Sequence, residues 1–305
     1  GEWVTEKVKK HYQGNFDVVS NPEFLREGSA VQDFLDPDRI VFGVESKKAE
    51  EIMLDIYSSI DAPKVVTDIK SAELVKYAAN AFLGTKISFI NEIANICERA
   101  GGDVEEVAKG IGLDDRIGPK FLNAGIGYGG NCFPKDIDAL RNFSKDAEYN
   151  FKLLEAVVKV NKQQKLQFAQ RIKEALKETE GEKVGIWGLA FKPNTDDVRK
   201  APSLEIIKEL QQNGYKIKTY DPQAIPNAKE KISSEKIEYC QSPIEAAKGV
   251  SVLALVTEWP EFSELDMGKV KEVMQAPYLL DGRNFFDPKQ MGSIGFKYQG
   301  IGKYE

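Results

Sequence analysis

Apolar residues recur at helical spacing through the middle of the chain. Between residues 68 and 100 they fall on one face with a period of about 3.6 residues, which predicts a single long helix. Gly101 and Gly102 predict its end, because glycine is favoured just past a last helical turn. A second helical pattern covers residues 149–180 and is long enough for one helix or for two. Together these patterns predict a central helical region.

After residue 181, short apolar strand patterns alternate with amphipathic helix patterns. Alternation at this spacing predicts a parallel sheet that is covered by helices on both faces. The predicted strands are residues 184–189, 216–220, 250–256 and 278–280. The predicted helices are residues 203–213, 243–248 and 267–274.

Residues 1–67 show the same alternation in shorter elements, which indicates the end of an α/β domain and not a whole one. The predicted helices are residues 3–12 and 49–60, and the predicted strands are residues 17–20, 39–44 and 64–66. One more short helix is predicted at residues 103–111.

Composition narrows the classes of function. The chain has 305 residues and a net charge of −6, so it has room for two domains and no electrostatic support for nucleic-acid binding. No apolar run is long enough to span a membrane. Cys97, Cys132 and Cys240 are widely spaced, which indicates a reducing, cytoplasmic compartment and neither a disulfide framework nor a metal site. His11 is the sole histidine, so a Cys–His hydrolase would have to use it as its base.

The stretch from residue 121 to residue 138, FLNAGIGYGGNCFPKDID, concentrates candidate chemistry. Its glycines allow unusual backbone conformations and let the main chain approach a ligand closely. Pro134 suits the first turn of a helix, which places Cys132 near a helix N-terminus that favours a thiolate. Asp136 returns to the same face one turn later. The pattern is typical of a covalent catalytic site.

Each of these candidates also has a structural interpretation. A single cysteine is commonly a small buried apolar residue. Lys76 and Asn80 lie four residues apart on one helix face, either as a solvated pair or as a partly desolvated lysine with an amide partner. Glu23 and Glu27 follow the turn at Asn21-Pro22 and can be ordinary loop carboxylates. The residues alone leave both interpretations open.

Four motifs resemble those of the UDP-glucose/GDP-mannose dehydrogenase family and occur in the family's order. They are NPEFLREGSAVQDF, ELVKYAANAFL, GIGYGGNCFPKD and GLAFKPNTDDVRKAPS. The third is long and specific, and the resemblance covers nearly the whole chain. The form of the first motif favours UDP-glucose as substrate over GDP-mannose or UDP-N-acetylhexosamines.

The resemblance implies an NAD-dependent, two-step oxidation of UDP-glucose to UDP-glucuronate. Cys132 would capture the intermediate aldehyde as a thiohemiacetal, which is oxidised to a thioester. Lys76, Asn80 and Asp136 would hold a water that manages the alcohol proton. Glu23 would help to activate water for hydrolysis.

The resemblance also implies the binding residues. Arg199 would reach towards the phosphates of NAD, and Lys135 would also bind this cofactor. The residues implied in binding the sugar nucleotide are Phe24, Leu25, Glu27, Arg116, Phe121, Leu122, Asn123, Gly125, Ile126, Gly127, Tyr128, Gly129, Phe191, Lys192 and Arg283. Arg116 would act across the interface of a homodimer that forms through the central helices.

The expected fold is α/β in three parts: a remnant of a Rossmann-like NAD domain (residues 1–67), a central dimerisation region with the cysteine loop (68–180) and a Rossmann-like UDP-sugar domain (181–305). The family's glycine-rich dinucleotide fingerprint does not occur in the first part. We therefore expect most of the NAD domain to be absent and the chain alone to be inactive. The alternative is a non-catalytic, dimerising UDP-sugar-binding fragment.

Overall fold

The computed structural model describes residues 1–303, apart from the side chain of Glu2. Two helices, α4 (Ile69–Ala100) and α6 (Cys132–Asp146), are continuous and contribute residues to both of its two compact units. Unit 1 consists of Gly1–Phe82 and Asp136–Phe143, and unit 2 consists of Leu83–Lys135 and Ser144–Glu305.

Unit 1 contains a short parallel sheet with helices. Its remaining elements are α1 (Glu2–His11), α2 (Ala30–Leu35), β1 (Ile40–Gly43), α3 (Lys47–Ile56) and β2 (Lys64–Thr67). The two strands pair in parallel from Ile40 opposite Lys64 to Gly43 opposite Thr67. Strand β1 is buried along its length. Ser46 is the N-cap of α3, because its hydroxyl accepts a hydrogen bond from the Ala49 N–H.

The strand predicted at residues 17–20 is wrong. Only Ser20 pairs, in an antiparallel bridge with Gly43 at the very end of β1. Since the chain meets β1 only at this last residue, residues 17–19 form no ladder despite the apolar Val18 and Val19. Helix α2 was not predicted, because its 6 residues are too few to show a helical period. Its large apolar residues Val31 and Leu35 are exposed.

Unit 2 begins with long helices. Besides α4 and α6 it contains α5 (Val104–Gly112) and α7 (Lys152–Glu178), which is one uninterrupted helix of 27 residues. Phe168, Ile172 and Leu176 of α7 are almost wholly buried against the C-terminal sheet. The long amphipathic pattern therefore corresponds to a single helix whose apolar face forms part of the core.

The C-terminal part of unit 2 is a six-stranded, fully parallel sheet. The strands lie in the order β5-β4-β3-β6-β7-β8. Counted from β3, this is the 3-2-1-4-5-6 order of doubly wound nucleotide-binding folds. The strands are β3 (Lys183–Trp187), β4 (Lys216–Tyr220), β5 (Ile237–Tyr239), β6 (Val252–Leu255), β7 (Tyr278–Asp281) and β8 (Lys297–Gln299).

Five α-helices and one 3₁₀ helix accompany this sheet. They are α8 (Pro202–Gln212), α9 (Ile225–Lys231), α10 (Pro243–Ala247), the 3₁₀ helix Pro260–Glu264, α11 (Met267–Val273) and α12 (Pro288–Ile294). The Rossmann-like architecture predicted for this part is confirmed. The sequence pattern missed β5 and β8 because each is only three residues long.

A buried carboxylate joins the C-terminal ends of three neighbouring strands. Asp221 follows β4 and is 1% exposed. Its two oxygens accept five N–H groups, from the backbones of Leu189, Ala190, Gln223 and Ala224 and from the indole of Trp259. The loops after β3, β4 and β6 are thus held together by one side chain.

Among residues 1–303, no helix has both the length and the apolar content needed to cross a bilayer.

Candidate active site

Residues 121–131 form the glycine loop, which lies within unit 2. Two of its glycines are required by the geometry. Gly127 has a φ of +91°, and a Cβ there would lie 2.5 Å from the side-chain oxygen of Asn161. A Cβ on Gly129 would lie 2.4 Å from the carbonyl oxygen of Lys200. The loop therefore lies against its surroundings at distances that no other residue type allows at these two positions.

Two buried asparagines hold this loop from neighbouring helices. Asn161 of α7 accepts the N–H of Tyr128 at 2.8 Å and donates to its carbonyl at 3.1 Å. Asn91 of α4 accepts the N–H of Gly125 at 2.8 Å. Both side chains are buried, so these backbone groups of Gly125 and Tyr128 are hydrogen-bonded to protein and not to solvent. Sequence reasoning missed them, although a polar residue at a core position of each helix was the available signal.

Arg283 connects the glycine loop to the sheet. Its Nε donates to the carbonyl of Val256 at 2.8 Å, and its Nη1 donates to the carbonyl of Gly127 at 3.2 Å. The Glu258 carboxylate lies 3.3 Å from the same Nε. The predicted ligand arginine is therefore also an anchor for the loop.

Asp281, at the end of β7, shapes the turn that carries Arg283. Its carboxylate accepts the backbone N–H groups of Arg283, Phe285 and Phe286 and the hydroxyl of Tyr298. Burial raises the pKa of this carboxyl group, while the N–H and hydroxyl donors act in the opposite direction. Four donors on one buried carboxylate fix the turn.

A cavity of about 660 Å³ opens beside this anchor. One side is apolar, and several polar side chains converge on it, as in pockets that bind small molecules. Its lining comprises Val104, Glu105, Ala108, Lys109, Pro119, Leu122, Asn123, Ala124, Glu258, Arg283, Asn284 and Phe285. The predicted binding residues Leu122, Asn123 and Arg283 thus line one cavity.

Cys132 is the first residue of α6, one turn before Asp136 in the same helix. It is exposed, whereas Cys97 and Cys240 are buried, and all three are free thiols. The next residue, Phe133, packs edge-to-face on Tyr128 with ring centroids 5.7 Å apart. The helix predicted after the glycine loop is present and includes the cysteine itself.

The four other predicted catalytic residues form two pairs within unit 1. Lys76 donates from Nζ to the Glu23 carboxylate at 2.9 Å and also to the Glu23 carbonyl. Asn80 donates from Nδ2 to Asp136 Oδ2 at 2.6 Å. Asp136 is 2% exposed, and this hydrogen bond orients its carboxylate. A lysine paired with a carboxylate can hold a water and move a proton, and so can an amide paired with a carboxylate.

The segment after Glu23 is held by cations. The Phe24 ring lies 3.6 Å from the Arg39 guanidinium carbon and 5.5 Å from Lys76 Nζ. Leu25 donates its N–H to the Glu23 carboxylate at 2.7 Å. Glu27, the other predicted carboxylate of this segment, is exposed.

Asp33 fixes the next turn, and sequence reasoning missed it. Its carboxylate accepts the backbone N–H and the guanidinium of Arg26 and the hydroxyl of Ser29. The Arg26 guanidinium holds the pKa of the Asp33 carboxyl well below its usual range. The only sequence signal was the Asp-to-Arg spacing within the motif.

Two predicted ligand arginines share a local motif. Arg116 and Arg199 each follow an aspartate by two residues, and that aspartate accepts both the arginine's backbone N–H and its guanidinium. The Arg116 side chain is 89% exposed and the Arg199 side chain 56% exposed. Their aspartates, Asp114 and Asp197, orient the guanidinium groups while leaving much of their surface accessible.

The remaining predicted residues of unit 2 lie near the loop or at the surface. A Cβ on Gly130 would lie 2.7 Å from the Phe191 ring, so this ring covers the glycine loop. Lys192 Nζ lies 5.4 Å from the same ring. Phe121, with a φ of +65°, packs on Phe133. Lys135 is exposed on α6.

Comparison with protein families gives three consecutive matches along the chain. The models are those of the UDP-glucose/GDP-mannose dehydrogenase family: the NAD binding domain over residues 1–61, the central domain over 70–163 and the UDP binding domain over 185–288. The expectation that most of the NAD domain is absent is not supported, since residues 1–61 match its model.

Relatives agree with these matches. UDP-glucose 6-dehydrogenase TuaD of Bacillus subtilis is 48% identical over 305 residues, which cover 99% of this chain and 66% of that protein. UDP-glucose 6-dehydrogenase of Rickettsia conorii is 45% identical over 94% of this chain and 67% of its own length. The chain thus spans about two thirds of the length of these relatives.

Solved structures give the same result. A UDP-glucose dehydrogenase from Pyrobaculum islandicum superposes on this chain with a TM-score of 0.88 at 36% sequence identity. The superposition covers 99% of this chain and 67% of the Pyrobaculum islandicum chain. The order of the domain models, the identity to the relatives and this superposition agree with one another. The chain belongs to the UDP-glucose/GDP-mannose dehydrogenase family.

Proposed function

We propose that this protein oxidises UDP-glucose to UDP-glucuronate with NAD. The observation that carries the proposal is the glycine loop, which leads directly from the Arg283 cavity to an exposed cysteine at the start of α6. A nucleotide cavity followed by an accessible thiol is what a covalent oxidation of a sugar nucleotide requires. The names of the relatives, UDP-glucose 6-dehydrogenases, support UDP-glucose as the substrate.

Cys132 is the proposed nucleophile. Its thiolate adds to the aldehyde carbon, and the resulting carbon–sulfur bond gives a thiohemiacetal that retains the intermediate. After this carbon is oxidised, the product is a thioester. Water then adds to the thioester carbon, the carbon–sulfur bond breaks, and Cys132 leaves as a thiolate.

The two pairs of unit 1 are the proposed proton-handling groups. Lys76, Asn80 and Asp136 position a water that accepts the proton of the sugar alcohol in the first step. Glu23, whose carboxylate is oriented by Lys76, assists the water that hydrolyses the thioester. The short, fixed hydrogen bond between Asn80 and Asp136 supports a positioning role for that pair.

NAD fits the exposed cations of this chain. Arg199, whose guanidinium is oriented by Asp197, and Lys135 are exposed basic side chains that suit the phosphates of a dinucleotide. When bound, NAD would supply the acceptor for the two hydrides that the sugar carbon loses. The tasks left to the protein are to hold the sugar nucleotide, the thiolate and the waters in place.

Incubation with UDP-glucose and NAD tests this function. We expect two NADH for each UDP-glucuronate, because alcohol and aldehyde are both oxidised. NADH is measured by its absorbance and UDP-glucuronate by anion-exchange chromatography. GDP-mannose and UDP-N-acetylglucosamine serve as matched substrates. Turnover of one of these in preference to UDP-glucose, or binding of UDP-glucose without NADH, would contradict the proposal.

We also propose a homodimer formed through α4 and a cytoplasmic location. Phe89 and Ile96 lie seven residues apart on α4 and are 53% and 56% exposed. Large apolar side chains repeated on one helix face are typical of a surface that another chain covers. Three free thiols fit a reducing compartment.

Substitution Phe89→Asp is expected to shift the protein from dimer to monomer, because a buried charge at the interface would have no partner. Analytical ultracentrifugation at several concentrations measures this change. Ile244→Asp is the matched control, since Ile244 is an apolar residue of α10 that is 37% exposed outside the proposed face. A dimer that persists in Phe89→Asp, or that is lost equally in Ile244→Asp, argues against this interface.

A further inference from the structure

The polar side chains that line the Arg283 cavity differ in how far their hydrogen-bonding groups are satisfied by the protein. Glu105 is paired with Lys303 at 2.8 Å. Asn284 donates to the carbonyl of Ile301 at 2.9 Å and accepts its N–H at 2.7 Å. Both side chains therefore have hydrogen-bond partners within the protein. Glu258 differs, because one of its oxygens has none in the described part of the chain.

One carboxylate oxygen of Glu258, Oε2, is buried and has no hydrogen-bond donor within the described part of the chain. It lies 3.3 Å from Arg283 Nε, but that N–H is directed at the carbonyl of Val256, 2.8 Å away. Glu258 and Arg283 therefore attract each other electrostatically without a directed hydrogen bond between them. A desolvated acceptor that lacks a donor is unfavourable until a ligand or water supplies one.

The position of Glu258 in the fold is that of a ligand-binding residue. It follows β6 by three residues, at the carboxyl ends of the strands. Strands β3 and β6 are neighbours whose connections run in opposite directions along the sheet, which is where open α/β sheets bind ligands. The side chain lines the cavity and is 38% exposed as a whole, whereas Oε2 itself is buried.

We infer that Glu258 accepts a hydrogen bond from a ribose hydroxyl of the nucleoside diphosphate that this cavity binds. The inference rests on the proposed function. A carboxylate repels phosphate, whereas the adjacent guanidinium of Arg283 attracts it. In a nucleoside diphosphate, the group next to the phosphates is the ribose, which carries two O–H donors. The carboxylate and the guanidinium thus match neighbouring parts of one ligand.

Calorimetric titration of wild type and Glu258→Met with UDP and with 2′,3′-dideoxy-UDP tests the inference. We expect wild type to bind UDP about tenfold or more tightly than the dideoxy analogue, because a charged acceptor makes a stronger hydrogen bond. In Glu258→Met, which keeps the side-chain length without an acceptor, the ratio should fall towards one. Glu258→Gln, which keeps one acceptor oxygen, should restore part of the ratio.

The ratio separates recognition of the ribose from a structural effect. If loss of Glu258 only displaced Arg283, both nucleotides would bind more weakly and the ratio would stay unchanged. Glu264→Met is the control, since Glu264 is exposed at the end of the 3₁₀ helix that follows Glu258. It should retain the wild-type ratio.

Three outcomes overturn the inference. An unchanged ratio in Glu258→Met, with UDP still bound, removes the ribose contact while leaving the proposed function in place. If Glu258→Met loses the preference for UDP over 3-methyl-UDP and keeps the preference over the dideoxy analogue, the carboxylate contacts the base and not the ribose. Failure of wild type to bind UDP overturns both this inference and the proposed function.

Discussion

Cys132→Ser is expected to lower the rate of UDP-glucuronate formation by on the order of 10³-fold or more, since a serine hydroxyl is a far weaker nucleophile than a thiolate. Binding of UDP-glucose should be nearly unchanged, because the substitution replaces one atom outside the Arg283 cavity. The measurement is the steady-state rate with UDP-glucose and NAD, together with a calorimetric titration of UDP-glucose.

The other two cysteines provide the control. Cys97 and Cys240 are buried, and burial raises the pKa of both thiols, that of Cys240 to about 11. They stay protonated near neutral pH and cannot replace Cys132 as nucleophile. Cys240→Ala should therefore retain the wild-type rate per folded molecule. Undiminished UDP-glucuronate formation by Cys132→Ser would reject the covalent role of this cysteine.

Asp221→Ala is expected to cost about 3–5 kcal/mol of unfolding free energy, because it leaves several buried N–H groups without an acceptor. The five donors on this carboxylate come from loops after three different strands. Their loss should affect the whole C-terminal sheet. Urea unfolding followed by far-UV circular dichroism measures the change.

A second aspartate calibrates this effect. Asp266 is the N-cap of α11, is exposed, and accepts the N–H groups of Gly268 and Lys269. Asp266→Ala should cost about 1 kcal/mol, as is usual for loss of an N-cap. If Asp221→Ala cost no more than Asp266→Ala, the buried carboxylate would not hold the loops together as proposed here.

The sequence predicted the C-terminal sheet well because its strands are continuous apolar runs. Val252–Leu255 is buried on both faces, which gives an unambiguous pattern. Strands of three residues, such as β5 and β8, are too short for such a pattern and become visible only through pairing. Residues 17–20 had the pattern but no neighbour along which to form a ladder.

The sequence predicted those site residues that lie in a recognisable motif. It did not predict residues whose part in the site depends on tertiary contacts. Cys132, Lys76 and Arg199 stand inside motifs of the family. Asn91 and Asn161 act on a loop that is distant in sequence, so a polar residue at a core position of each helix could indicate a buried contact but not its partner. The roles assigned to the motif residues, and the domain boundaries at residues 67 and 180, stay predictions until the experiments above are done.

The carboxylate of Asp221 also occupies amide groups that bind phosphates in related folds. In dinucleotide-binding folds, amide groups of the loop after the first strand receive a pyrophosphate. Here the amides of Leu189 and Ala190, in the loop after β3, already bind the protein's own anion. The loop after β3 therefore already has an anion at the place where those folds bind a pyrophosphate, which agrees with a diphosphate site proposed instead at Arg283, in the loop after β7.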